Sequence, residues 1–416
     1  MGSKFPGRRW QFAVLGCVAA ALALLAVAVP AARAAEQPSV SARTAILVDA
    51  RDGHVLYRRR PDSERPIASA TKLMTALVAV GELPLRREVR AVPYNPMPAE
   101  SRIDLRAGER MSVADLLRAL LLESANDAAE TLAVRAAGSV DAFVRQMNER
   151  ARELGLEHTK FANPVGLDSP GAHSSALDLS RLARRVLAND FLATTVDMPR
   201  ARLLSGAHQR IVDNRNLLVR QVGWVDGVKT GHTNGAGYVL VGSTSRKGAR
   251  LVSVVLGAPS EPARDADTLA LLRYGLRSYR RTQPLRARTP LATANVKYFD
   301  REVHLVPART VSVTARRGQR VRTVLRAPGE VTGPLDRRAR VGTVTVYRDA
   351  ERIRTVPLVT ASAVPEAGLL RKVWSAVWSP LVVLAALGIG TWLFLRRRRR
   401  AGAAGGPARH AQERAG

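Results

Sequence analysis

The sequence predicts an α+β domain over residues 36–283 and a small all-β module over residues 284–364. A linker at 365–372 then leads into a membrane-spanning helix over residues 373–395. Three observations predict this. Strand signals near both ends of the first segment enclose a run of helical periodicity, as expected of one sheet assembled from distant parts of the chain. The second segment is strand-like throughout, broken by Gly318, Pro328-Gly329 and Gly333-Pro334. The third is apolar for the length needed to cross a hydrocarbon core of about 30 Å.

At the amino end, Arg8 and Arg9 precede an apolar run over residues 12–29, then Pro30 and the small-residue site Ala32-Arg33-Ala34. This is the layout of a cleavable secretory signal over residues 1–35. The single cysteine, Cys17, lies inside that run, so the mature chain has none. Disulfides, thiolate metal sites and cysteine nucleophiles are thereby excluded. Residues 44–48 and 54–57 read as two strands joined by the turn Asp49-Ala50-Arg51-Asp52-Gly53. A helix opens at Ser69 with Leu73, Met74, Leu77 and Val78 on one apolar face, and helices follow over 113–122, 125–137, 140–154 and 176–187. Strands are expected over 223–230, 237–245 and 250–256.

In the β module, alternation is clear in Val303-His304-Leu305-Val306 and from Val341 to Val346. It holds no cluster of acid, base and nucleophile, so its expected role is a stalk. Five arginines, Arg396 to Arg400, follow the apolar segment, and the positive-inside rule makes residues 396–416 a cytoplasmic tail. Everything between signal and span then faces outward, with Trp374, Trp378 and Trp392 near the two interfaces. The formal charge of +30 is spread along the chain rather than gathered in a stripe, and no nucleic-acid fold signature accompanies it. A nucleic-acid partner is not expected. Such a basic surface either meets anionic lipid or wall polymer, or reflects an arginine-rich composition alone.

Three short motifs stand in order: Ser69-Ala70-Thr71-Lys72, Ser124-Ala125-Asn126 and Lys229-Thr230-Gly231. Any one occurs by chance; three in order do not. Ser69 and Lys72 project from one helical face, bringing an amine to a hydroxyl. That amine activates the hydroxyl only when unprotonated, which burial and a second cation, Lys229, would favour. Ser124 offers a hydroxyl to pass the proton on, and Asn126 an amide to hold Lys72 and a substrate amide. On a strand edge, Lys229 and Thr230 can bind a substrate carboxylate, while Gly231 lets a peptide approach the backbone. The backbone amides of Ser69 and His232 are the expected oxyanion donors. The seven histidines are scattered without zinc-peptidase spacing, so no metal or other cofactor is expected.

These motifs, with Pro66-Ile67-Ala68-Ser69, Asn126-Asp127-Ala128-Ala129, Phe161-Ala162-Asn163-Pro164-Val165-Gly166-Leu167 and the stretch from Val225 to Thr233, resemble the low-molecular-mass penicillin-binding proteins. These are the serine D-alanyl-D-alanine carboxypeptidases. The similarity is strong over residues 39–281 and weaker through the β module. The resemblance implies a five-stranded antiparallel sheet flanked by helices, with a helical subdomain. It further implies removal of the terminal D-alanine from peptidoglycan pentapeptide stems through an acyl-enzyme on Ser69, with β-lactams as covalent inhibitors. Many members lie on the membrane through an amphipathic helix, whereas here the run reads as a span. Two alternatives carry the same motifs: a DD-endopeptidase, and a non-catalytic penicillin-binding or scaffolding module.

Overall fold

The computed structural model describes residues 37–402 apart from 99, 247, 378 and 379, and the chain divides into two compact units between Tyr279 and Arg280. The expected signal segment lies outside the described residues. In the first unit, β1 (Thr44–Asp49), β2 (Val55–Arg59), β3 (Gly227–Thr233), β4 (Gly237–Arg246) and β5 (Ala249–Ala258) form one antiparallel sheet in the order β2-β1-β5-β4-β3. The opening strand therefore closes against one about 200 residues later, with Thr44 opposite Leu256 and Asp49 opposite Leu251. β1 is apolar along its length because both faces are covered. Ile46 and Val48 pack into the main helical core, and Ala45 and Leu47 pack with Leu271 and Leu272 on the other side.

The helices are α1 (Lys72–Glu82), α2 (Val113–Arg118), α3 (Asn126–Ala137), α4 (Val140–Glu153), α5 (Ala176–Val186), α6 (Asp190–Asp197), α7 (Leu217–Gln221) and α8 (Glu261–Arg277). Side-chain oxygens of Ser112, Ser139, Ser175, Asn189 and Ser260 cap five of them by accepting a first-turn amide. α8 was not anticipated, although Ser260-Glu261-Pro262 carries its start signal.

Three local differences from expectation bear on chemistry. Ser69 lies in a 3-10 turn, Ala68–Thr71, ahead of α1 rather than in the first α turn. In that tighter turn residues three apart eclipse, which stacks Ser69 over Lys72. The helix expected over 113–122 ends as a π turn, Ala119–Glu123, and Ser124 breaks the chain in the left-handed region at φ 66° before α3 begins. Last, β3 starts at Gly227 rather than 223, because after α7 ends at Gln221 the chain turns at residues 223–224, where the amides of Trp224 and Val225 donate to the Val222 carbonyl.

In the second unit, β6 (Tyr279–Leu285) begins at the division. β7 (Ala292–Val296), β8 (Glu302–Pro307), β9 (Val311–Arg316), β10 (Val321–Arg326), β11 (Glu330–Val331), β12 (Arg340–Arg348) and β13 (Glu351–Thr360) follow. Six form a sheet in the order β10-β12-β13-β8-β7-β11, and β6 pairs with β9. Val303, Leu305 and Leu358 centre one small core, and Val344, Val346 and Val356 another.

Of the expected span, the described residues form α9 (Leu369–Val377) and α10 (Pro380–Gly402), and among the described residues no helix is long and apolar enough to cross a membrane. The apolar part of α10, residues 380–395, covers only about 24 Å at 1.5 Å per residue before the arginines begin.

Candidate active site

Ser69 and Lys72 meet as the spacing predicts: Lys72 Nζ donates to Ser69 Oγ at 3.0 Å and to the carbonyl of Val165 at 2.6 Å. Lys72 is fully buried, at 0% exposure, so its amine has lost its water and kept two neutral partners. Burial pushes its pKa well below the ordinary lysine value, helped by the charge of Lys229 and opposed by Glu100 and Asp127.

The Val165 carbonyl is held there by its own loop. Asn163 Oδ1 accepts from the amides of Val165 and Gly166, and Thr75 Oγ1 donates to the Pro164 carbonyl at 2.6 Å. Gly166 sits at φ 88°, where a Cβ would fall 2.1 Å from the Ala68 carbonyl oxygen. A side chain there would push this loop off the turn that carries Ser69.

β3 lies against the same turn. A Cβ on Gly231 would stand 3.0 Å from the backbone nitrogen of Ser69, so the missing side chain is what lets the strand edge come so near that amide. Lys229, buried, donates to the carbonyl of Thr230 at 3.0 Å. Burial lowers its pKa to about 7, with Arg215 and Arg264 pressing the same way against Glu123. The His232 ring is exposed and lies over Tyr238, with centroids 4.2 Å apart.

Asn126 differs from expectation. Its Nδ2 donates to Glu100 Oε2 at 2.7 Å rather than holding Lys72, whose oxygen partners are Ser69 and Val165. Ser124 is buried, and among the described residues its hydroxyl makes no hydrogen bond to Ser69 or Lys72. Taken together, the turn, the loop and the strand edge give a hydroxyl with a buried amine of lowered proton affinity beside it and a second lysine nearby, the equipment for acyl transfer.

A family model described as D-alanyl-D-alanine carboxypeptidase matches residues 31–260, more than half of the chain. The chain belongs to that family. It is a serine carboxypeptidase of the penicillin-binding class involved in the cell wall. A second model, the C-terminal domain of penicillin-binding protein 5, matches residues 279–366. The carboxypeptidase is 34% identical over 382 residues to D-alanyl-D-alanine carboxypeptidase DacC of Escherichia coli, covering 86% of this chain and 94% of the relative. Among solved structures, penicillin binding protein 5 of Haemophilus influenzae is similar with a TM-score of 0.57 at 29% identity, covering 80% of this chain and 99% of that one. A Streptomyces DD-transpeptidase is similar over 58% of this chain and 99% of its own, with a TM-score of 0.56 at 29% identity.

Several residues of the carboxypeptidase site carry no motif and escaped the sequence reading. Glu100 takes hydrogen bonds from Asn126, from the amide of Met97 at 3.1 Å and from the Tyr94 hydroxyl. It thereby fixes which end of the Asn126 amide is free. Arg215 is paired with Glu123 and adds its charge near Lys229. Asp168 ties the 163–169 loop to the turn after β3, accepting from Thr233 Oγ1 at 2.7 Å and from the Gly235 amide at 3.1 Å. The only available signal was that Glu100 and Arg215 lie in segments rich in turn residues. Among the described residues, no group of three or more His, Cys, Asp or Glu could hold a metal ion.

Proposed function

We propose that the chain removes the terminal D-alanine from peptidoglycan pentapeptide stems, with Ser69 as nucleophile. The observation that carries this reading is the fully buried Lys72 amine 3.0 Å from Ser69 Oγ. The substrate's terminal carboxylate binds at Lys229 and Thr230. A carboxylate beside Lys229 draws a proton onto an amine that otherwise titrates near 7, and the resulting charge further weakens the hold of Lys72 on its own proton. Lys72 takes the proton of Ser69 Oγ as that oxygen bonds to the carbonyl carbon. The tetrahedral oxyanion accepts hydrogen bonds from the amides of Ser69 and His232. Ser124 relays the proton to the departing D-alanine nitrogen, the C–N bond breaks, and an ester on Ser69 remains. Water then loses its proton to Lys72 as its oxygen bonds to the ester carbon, the bond from that carbon to Ser69 Oγ breaks, Lys72 returns the proton to Oγ, and the tetrapeptide is freed. Asn126, set by Glu100, orients the substrate amide. β-Lactams acylate the same hydroxyl.

The carboxyl-terminal helices support a second part of the proposal, that the enzyme is tethered at the membrane with its catalytic unit extracytoplasmic. Leu369, Leu370, Val373 and Trp374 are exposed apolar residues on or beside α9, next to the apolar part of α10.

D-alanine release from a peptide ending in Lys-D-Ala-D-Ala, measured on residues 36–365 with a Ser69→Ala control, tests the reaction. Release abolished in the control is expected. Covalent penicillin at Ser69 without release would point to a DD-endopeptidase or a non-catalytic penicillin-binding module.

A further inference from the structure

We propose that the β unit carries an anion-binding cleft, separate from the peptidase site, that seats a linear polymer bearing phosphate groups in series. From residue 280 to 366 the chain holds eighteen Lys and Arg against seven Asp and Glu, a net charge of +11. Four of these arginines, Arg288, Arg309, Arg337 and Arg338, are exposed and line one concavity of about 690 Å³ at the ends of β8 and β13. Among the described residues none of the four has a carboxylate within ion-pair distance. The apolar residues that share the wall, Val306, Pro307 and Val359, are buried. The wall is hydrogen bonded in place: the Arg338 amide donates to the Thr360 carbonyl at 2.9 Å, and that of Ala287 to Thr310 Oγ1 at 3.0 Å.

Backbone conformation is the second observation. Arg288 and Arg338 sit at φ 69° and 73°, where glycine or asparagine would be less strained. Two long cations stand at such positions on one rim, which a use for the guanidinium would account for. Guanidinium forks pair bidentately with phosphate. Four of them around one cleft exceed what a single phosphate can engage. A concave site without exposed large apolar side chains suits a flexible polyanion better than a lipid surface.

The test titrates full-length protein with fluorescent linear polyphosphate, comparing Arg288→Gly with Arg338→Gly against a charge-matched pair of exposed arginines, Arg352→Gln with Arg354→Gln. The cleft pair should weaken binding by about ten-fold or more and the control pair by less than about three-fold. Glycine relaxes the two left-handed positions, so the cleft pair should melt at or above the wild-type temperature, a combination that misfolding cannot produce. Penicillin labelling at Ser69 should be unchanged in both, which separates this site from the catalysis. Equal weakening in both pairs would assign binding to diffuse charge and overturn the proposal. So would inorganic phosphate binding as tightly as the polymer, or a cleft needed only for binding to phosphatidylglycerol vesicles.

Discussion

Replacing Lys229 by methionine should stabilise the fold while disabling the enzyme, and the gain should fade as pH rises. The Lys229 amine falls from 10.5 to about 7 on folding because it is buried, with Arg215 and Arg264 adding to the effect. At about 1.36 kcal/mol per pH unit, that difference is worth about 5 kcal/mol against the folded state wherever both states would bind the proton. The sign is fixed by proton counting. Between pH 7 and 10.5 the unfolded chain still binds this proton and the folded chain has released it, so wild-type stability rises with pH across that window. Below pH 7 the penalty is present in full. Methionine keeps the length and apolar character of the side chain and carries no proton, so its stability lacks this dependence. Urea unfolding at pH 7, 8 and 9 should find the variant ahead by several kcal/mol at pH 7 and its lead smaller by about 2 kcal/mol or more at pH 9. A lead that stays constant over that range would mean Lys229 remains protonated in the folded enzyme, and protonation of Lys229 on substrate binding would be ruled out while its charge beside Lys72 would stand.

Ser124→Gly should separate fold from function in the same way. Glycine at φ 66° stabilises by about 0.5–1 kcal/mol by removing the left-handed strain, while loss of the hydroxyl slows D-alanine release by about 100-fold. Gly231→Ala places a methyl 3.0 Å from the Ser69 nitrogen, and penicillin acylation should slow by about 10–100-fold with the melting temperature little changed. Glu109 forms a buried bidentate pair with Arg210, at 2.8 and 3.0 Å; burial raises its pKa, but the Arg210 bonds win and hold it at about 2, down from 4.5. Its contribution, about 3 kcal/mol, is complete above pH 4.5 and lost as pH falls to 2. Glu109→Gln should therefore destabilise by about 3–5 kcal/mol at neutral pH, by leaving Arg210 buried and unpaired, with the gap to wild type closing in acid denaturation curves.

Much of the site was legible because its chemistry is local. Ser69 and Lys72 are three residues apart, and a helical turn of either kind brings them together, so the amine and hydroxyl could be paired before any fold was known. The same holds for Lys229-Thr230-Gly231, whose successive side chains a strand directs to opposite faces. What stayed hidden was non-local. Val165 binds Lys72 across 93 residues, and Glu100 binds Asn126 across 26. No periodicity marks either partner. Among the described residues Lys72 donates to Ser69 and Val165, and no hydrogen bond joins it to Asn126. The helix expected through residue 122 also hid the π turn that sets Ser124 in the left-handed region, because hydrophobic spacing reads α and π turns alike over a single turn.

By itself, then, the sequence determined which groups make up the candidate site and in what order they lie along the chain, because the proposed nucleophile, base and carboxylate-binding strand are each marked by side-chain identity at short spacing. It also determined the two-part organisation, since strand texture with Gly and Pro turns differs in composition from a helix-rich segment. Only the tertiary structure decided that Lys72 holds its proton weakly. That depends on complete burial and on charges and a carbonyl brought from residues 100, 165 and 229, across separations in sequence that no local pattern specifies.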